Sequence, residues 1–169
     1  MDITEATERI TDIIDAFLEK FNLTSFLGTD FGYYRSSDEV EYPVVITERF
    51  EKLWGDHLNR RFGAEMNVKE IPIFVWSILH EVGHSQTDNY FTDEAKQIFE
   101  EYKQNLDGEN DEDTEEYYNI PEEALATLWA FQYIQANREE VMDLSILLAE
   151  AFDEFYNKVG IANDTEENT

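Results

Sequence analysis

The chain reads as an α+β domain, mostly helical, and three observations carry that expectation. Long stretches place apolar residues at three- and four-residue spacings, the period of amphipathic helices. Aromatic and β-branched residues crowd into one short region, 31–46, which suits a small sheet. The 169 residues, 42% of them hydrophobic, suit one core of ordinary size. The expected organisation is a single domain over 1–162 and a polar, frayed tail over 163–169. There is no internal repeat.

From the N-terminus, Ile10, Ile13, Ile14, Phe17, Leu18 and Phe21 mark one face of a helix over Ile3 to Phe21. Gly28 and Gly32 break it. Phe31 to Arg35 and Val40 to Ile46 then read as a short antiparallel pair, with Pro43 putting the second strand at an edge or bulge. Thr47 is an N-cap for a helix ending at Phe62, where Gly63 supplies the stop. Pro72 suits the first turn of the next helix, which runs through Phe74, Val75, Ile78 and Leu79 into His80-Glu81-Val82-Gly83-His84. A helix follows over Thr92 to Leu106. Asp107 to Glu116 is almost wholly acidic or polar and reads as a mobile connector. Its spacing does not fit an EF-hand calcium loop. Pro121 opens a helix to Ala136, and the last helix covers Glu140 to Lys158.

The formal net charge is -27, from 39 acidic and 12 basic residues. Such a surface repels phosphate backbones and anionic membranes, so direct nucleic-acid or membrane binding is not expected. It suits a peptide or protein substrate of basic character. No apolar run approaches the roughly 20 residues of a membrane span and no secretory signal opens the chain, which points to the cytoplasm. Nothing specifies an oligomeric state. With no cysteine, a metal site must use nitrogen and oxygen donors, and only His57, His80 and His84 carry imidazoles.

Four residues apart on a helix, His80 and His84 project from one face and can fill two corners of a tetrahedral zinc site. Glu81 points to the side, where it can take a proton from a water made acidic by the metal as that water attacks a carbonyl. Each position of H-E-x-x-H therefore has a mechanical reason. Gly83 costs about 1 kcal/mol in a helix interior relative to Ala, and a close backbone approach would justify it. His57 has no ligand partner at helical spacing and is left out of the site.

A catalytic zinc needs a third protein ligand and an open position for water. No histidine follows His84, so the third ligand must be a carboxylate. Asp88, one turn beyond His84, reads as a residue that supports the ligands from behind or is solvated, and Asp93 and Glu94 sit at a helix start, where a cap is the ordinary role. The best candidates are Glu122 and Glu123. Asn119 and Glu122 have capping-box spacing, which gives Glu122 a structural job. Glu123 shares a helix face with Ala126 and Ala130, small residues that would let this helix lie close beside the His80–His84 helix. That geometry favours Glu123, with Glu122 as the alternative. Tyr90, Tyr117 and Tyr118 are candidate oxyanion donors but read more naturally as packing aromatics.

His80-Glu81-Val82-Gly83-His84, followed by Glu123-Ala124-Leu125-Ala126-Thr127-Leu128-Trp129-Ala130, resembles the HExxH and E-x-x-A-x-x-x-A pattern of the ImmA/IrrE-type metallopeptidases. These are zinc proteases of the gluzincin kind, common in phages, mobile elements and bacterial stress regulation. The resemblance spans roughly residues 70 to 137. It implies a minimal zincin-like fold, zinc held by His80, His84 and Glu123, and Glu81 as general base. Thr127 stands where the family often has Asn or Asp, so the support of the ligands is expected to differ. An edge strand above the zinc can pair with an extended peptide, and Val44 to Ile46 is the candidate. The expected function is hydrolysis of peptide bonds. The rival expectation is a non-enzymatic acidic regulator or inhibitor from a phage or mobile element, a mimic of nucleic acid, with a structural or vestigial zinc site.

Overall fold

The computed structural model describes residues 2–167, with side chains described over 2–159. Helix α1, Ile3–Leu18, starts in a reciprocal cap: the Asp2 carboxylate accepts the Glu5 N–H at 2.8 Å, and Glu5 accepts the Asp2 N–H at 3.2 Å. Its buried stripe of Ala6, Ile10, Ile14, Phe17 and Leu18 has the expected helical period. A 3₁₀ turn over Glu19–Phe21 and left-handed Asn22 (φ 58°) then turn the chain into the sheet.

Three short strands follow: β1, Thr24–Leu27; β2, Gly32–Tyr34; and β3, Glu39–Tyr42. Their order is β1-β3-β2, with β1 parallel and β2 antiparallel to β3. The expected antiparallel pair is present as β2 and β3, but the sheet is mixed. Thr24–Leu27 adds a parallel strand that its polar flanks and four-residue length conceal. The second strand is also central, not at an edge, and stops at Tyr42, so Pro43 breaks no ladder hydrogen bond. Val44 to Ile46 lies outside the sheet, which removes it as a substrate edge. The inward face of β3, Val40 and Tyr42, is buried in the core.

Helix α2, Glu48–Phe62, is capped by the Thr47 hydroxyl, which accepts the Phe50 N–H at 3.1 Å. Helix α3, Ile73–Thr87, carries the HEVGH segment and is buried along most of its length. It packs on β2, β3 and, most extensively, on α6, Pro121–Ala136. Helix α4, Asp93–Gln104, is capped by Thr92, so Asp93 and Glu94 stand in its first turn and not at the cap itself.

The connector at 107–116 is not a loop throughout. Asn110 caps helix α5, Asp111–Asn119, by accepting the Asp113 N–H at 3.1 Å. Asp111, Glu112 and Asp113 complement its N-terminal dipole, so the acidic run is a helix start. Asn119 accordingly ends α5 and does not cap α6, whose N-cap is Ile120 ahead of Pro121. Helix α7, Arg138–Glu167, is longer than the expected Glu140 to Lys158 and buries Val141, Leu144, Leu148, Ala151 and Phe155, with its main contacts on α1. The tail expected to fray, 163–169, lies outside the residues whose side chains are described. Among the described residues, no helix is long and apolar enough to cross a membrane.

A candidate metal centre between helices α3 and α6

Helices α3 and α6 approach so closely that a Cβ on Gly83 would sit 2.4 Å from the Ala126 carbonyl oxygen. Only glycine on α3, facing the fully buried Ala126 and Ala130 on α6, permits this separation. The approach brings the third turn of α3 against the first turn of α6, and three donor atoms converge there. Glu123 Oε2 lies 2.8 Å from His80 Nε2 and 2.8 Å from His84 Nε2, and the two Nε2 atoms are 3.1 Å apart. Donors about 2.0 Å from a tetrahedral ion stand about 3.3 Å from one another. The three atoms are thus already close to the spacing a zinc-sized ion requires, and the group can hold a metal ion. Among the described residues no fourth histidine or carboxylate joins the three.

The surroundings set the direction of each ligand. The Thr127 hydroxyl donates to the Glu123 carbonyl at 3.0 Å, so its oxygen is left to accept the Nδ1–H of His80, also at 3.0 Å. That bond fixes the His80 tautomer and turns the Nε2 lone pair toward the cluster. Thr127, fully buried one turn beyond Glu123, thereby supports two ligands at once. The other carboxylate oxygen of Glu123 accepts from Lys103 Nζ at 2.8 Å and Tyr117 Oη at 2.9 Å. Lys103 also binds Glu122 at 2.5 Å, so Glu122 has a structural role, though with α4 and not with Asn119. Of the two neighbouring glutamates, the structure brings Glu123 to the histidines and sends Glu122 away.

Charge follows from these contacts. Burial alone would raise the Glu123 carboxyl, but hydrogen bonds to His80 and His84 outweigh it and hold the group well below the usual carboxylate range. His84 is raised: its burial is overcome by Glu123. Burial likewise opposes the Lys103 charge, and the pull of Glu123 and Glu122 prevails, so its ammonium is held more firmly. Burial and nearby Glu123 push the Tyr117 phenol far up, keeping it a neutral donor. The Glu81 carboxyl is pushed up by burial against the pull of His80 and His84. It is 8% exposed and lines a cleft of about 200 Å³ together with His80, Ser77, Asp30, Phe31, Phe50, Trp54, Tyr117 and Tyr118.

His57 stays apart from this centre. It is 2% exposed, holds Glu115 through Nδ1 at 2.9 Å, and stacks on Trp54 with ring centroids 5.7 Å apart. Tyr90 is exposed on a 3₁₀ turn after α3, and Tyr118 stacks on Trp54 at 4.3 Å. Tyr117 faces both the cleft and Glu123, and its hydroxyl is committed to the latter. Asp88, Asp93 and Glu94 do not join the cluster; Asp88 pairs with Arg35 and Lys96. Lys103 and the cleft aromatics of α2 carry no motif signal, because their roles arise only from helices brought together in space. No protein-family model matches the chain, and no curated protein or solved structure matches it.

Proposed function

We propose that the chain is a zinc-dependent metallopeptidase of the gluzincin kind, with His80, His84 and Glu123 as ligands and Glu81 as general base. The observation that carries this reading is the convergence of three donors on one point, with Glu81 beside them in an open cleft. Two imidazoles and one carboxylate are the donor set of catalytic zinc peptidases, and three protein ligands leave a position for water. A zinc ion bound there would acidify a water and polarise the carbonyl of the scissile bond.

The remaining work falls to the chain. Glu81, raised by burial, is suited to take a proton from the attacking water and return it to the leaving amine. Thr127, Tyr117 and Lys103 hold the ligands in one orientation, so little reorganisation precedes reaction. Among the described residues strand β2 pairs only with β3, which leaves its other edge, on the sheet that α3 packs against, open to an extended peptide. This edge takes the place of Val44 to Ile46 in the reading. The substrate is then a peptide or protein segment in extended form, and the ImmA/IrrE-like motif pair is consistent with the same chemistry.

The test is metal content and turnover together. The purified protein, stripped and re-supplied with zinc, is expected to hold about one ion per chain by mass spectrometry. Glu81→Gln should retain that zinc and lose peptide hydrolysis by roughly 10²–10⁴-fold. A protein that takes up no zinc would refute the reading. Zinc uptake without hydrolysis of any peptide in a mixed library would favour the non-enzymatic acidic regulator instead.

A further inference from the structure

The cleft beside Glu81 is lined by two kinds of side chain, carboxylates and aromatic rings. Phe31 and Phe50 stack with centroids 5.9 Å apart, and Trp54 and Tyr118 stack at 4.3 Å, so two aromatic pairs wall the space. Asp30 and Glu81 supply the charge. Neither forms an ion pair with a lysine or arginine among the described residues. One oxygen of Asp30, an exposed residue at the edge of the cleft lining, accepts the Phe31 N–H at 2.8 Å, and its second oxygen has no hydrogen-bond partner among the described residues. Glu81 is more than nine-tenths buried and lines the cleft, and its side chain makes no hydrogen bond among the described residues. The Nε1–H of Trp54, another wall residue, is buried and also finds no acceptor.

Nearby cations do not balance these charges. Lys103 is tied to Glu122 and Glu123, and Arg35 to Asp88. Of Asp30, Glu81, Glu122 and Glu123, only the last two pair with an ammonium among the described residues, that of Lys103, and even a divalent ion at the His80–His84–Glu123 group leaves the four formally in excess. An unpaired carboxylate at the mouth of an aromatic-walled cleft is the environment that stabilises an organic cation, through the ring faces along its stem and the carboxylate at its head. The chain's net charge of -27 would draw such a ligand in.

Building on the peptidase reading, we propose that this cleft is a specificity subsite for a basic side chain, arginine or lysine, next to the scissile bond. Asp30 receives the cationic head, and Phe31 and Phe50 receive the stem. Asp30 is then the residue that selects substrate, while Glu81 serves the chemistry.

Two measurements on the zinc-loaded full chain test this. The first compares quenched fluorescent peptides that differ only in arginine against citrulline, its neutral isostere, across the cleavage position. The arginine peptide should be preferred in kcat/KM by roughly ten- to a hundredfold, the scale of one charged hydrogen bond, and Asp30→Asn should collapse that ratio toward one. Equal cleavage of both peptides by the wild-type protein, or a ratio unchanged in Asp30→Asn, overturns the assignment. The second measures binding of N-acetyl-arginine amide and N-acetyl-citrulline amide by calorimetry, which requires no turnover. Asp30-dependent preference for the arginine compound with no peptide cleaved would sink the peptidase reading and leave the cation subsite standing. Cleavage with no preference in either assay would do the reverse.

Discussion

Replacing Gly83 with alanine sets two effects of opposite sign against each other. In an exposed helix the change would stabilise by about 1 kcal/mol, because alanine is the better helix former. Here the new methyl would stand 2.4 Å from the Ala126 carbonyl oxygen and 3.0 Å from that residue's carbonyl carbon and Cα. All three are backbone atoms, so no rotamer change relieves them. Restoring ordinary contact, which begins at 3.4 Å, needs a retreat of about 1 Å between α3 and α6. Overpacking of a tight core costs about 1–3 kcal/mol, and a rigid backbone neighbour puts this case at the upper end. The net loss is then about 2 kcal/mol, a fall in Tm of about 4–8 °C for a chain of this size.

The same retreat has a second consequence. His80 and His84 stand on α3 and Glu123 on α6, whereas metal–ligand distances tolerate only about 0.2 Å of error. Gly83→Ala should therefore weaken zinc binding by more than tenfold, measured by competition with a chromophoric chelator. Gly108→Ala is the control, since nothing lies within 4 Å of a Cβ built there. A Gly83→Ala protein that keeps both its Tm and its zinc affinity within twofold would refute the claim that this helix contact sets the centre.

Three further outcomes are expected. Glu123→Gln should reduce zinc affinity far more than Glu122→Gln, because only Glu123 contacts the histidines; equal losses in chelator competition would contradict that division. Thr127→Val, nearly isosteric, leaves the His80 Nδ1–H without its acceptor and should cost roughly 10–100-fold in zinc affinity with little change in far-UV circular dichroism; unchanged affinity would remove Thr127 as a support. His57 is held below its ordinary value of 6.5 by burial, against the pull of Glu115, so the unfolded chain binds its proton more readily. Its contribution to stability is present above about pH 6.5 and is lost as pH falls from there through the folded value. Metal-free His57→Gln should accordingly lose less Tm between pH 7 and pH 5 than metal-free wild type, and parallel losses would show that another group dominates.

Much of this was legible in local chemistry. The face of α1, the Thr47 cap and the Pro121 start follow from residues adjacent in the chain, so period and capping report them directly. His80, Glu81 and His84 share one helix, and their relation needs no knowledge of the fold. Gly83, Ala126 and Ala130 also carried the idea of a close helix pair, because small side chains are informative wherever backbones must meet. The acidic segment at 107–116 misled: its composition suggests solvent, while Asn110 and three acids in the first turn are a helix start.

Other features were decided only by the tertiary structure. Glu122 and Glu123 are adjacent and chemically identical, and what separates them is a rotation about the α6 axis, set by how that helix lies on α3. Lys103 reaches Glu123 from α4, twenty positions away, and the parallel pairing of Thr24–Leu27 with β3 is equally non-local. The sequence by itself determined that two histidines and a glutamate share one helix, since helical spacing is a local property. The structure decided which carboxylate completes the group and what lines the cleft beside it, because those answers depend on contacts between elements that no periodicity records.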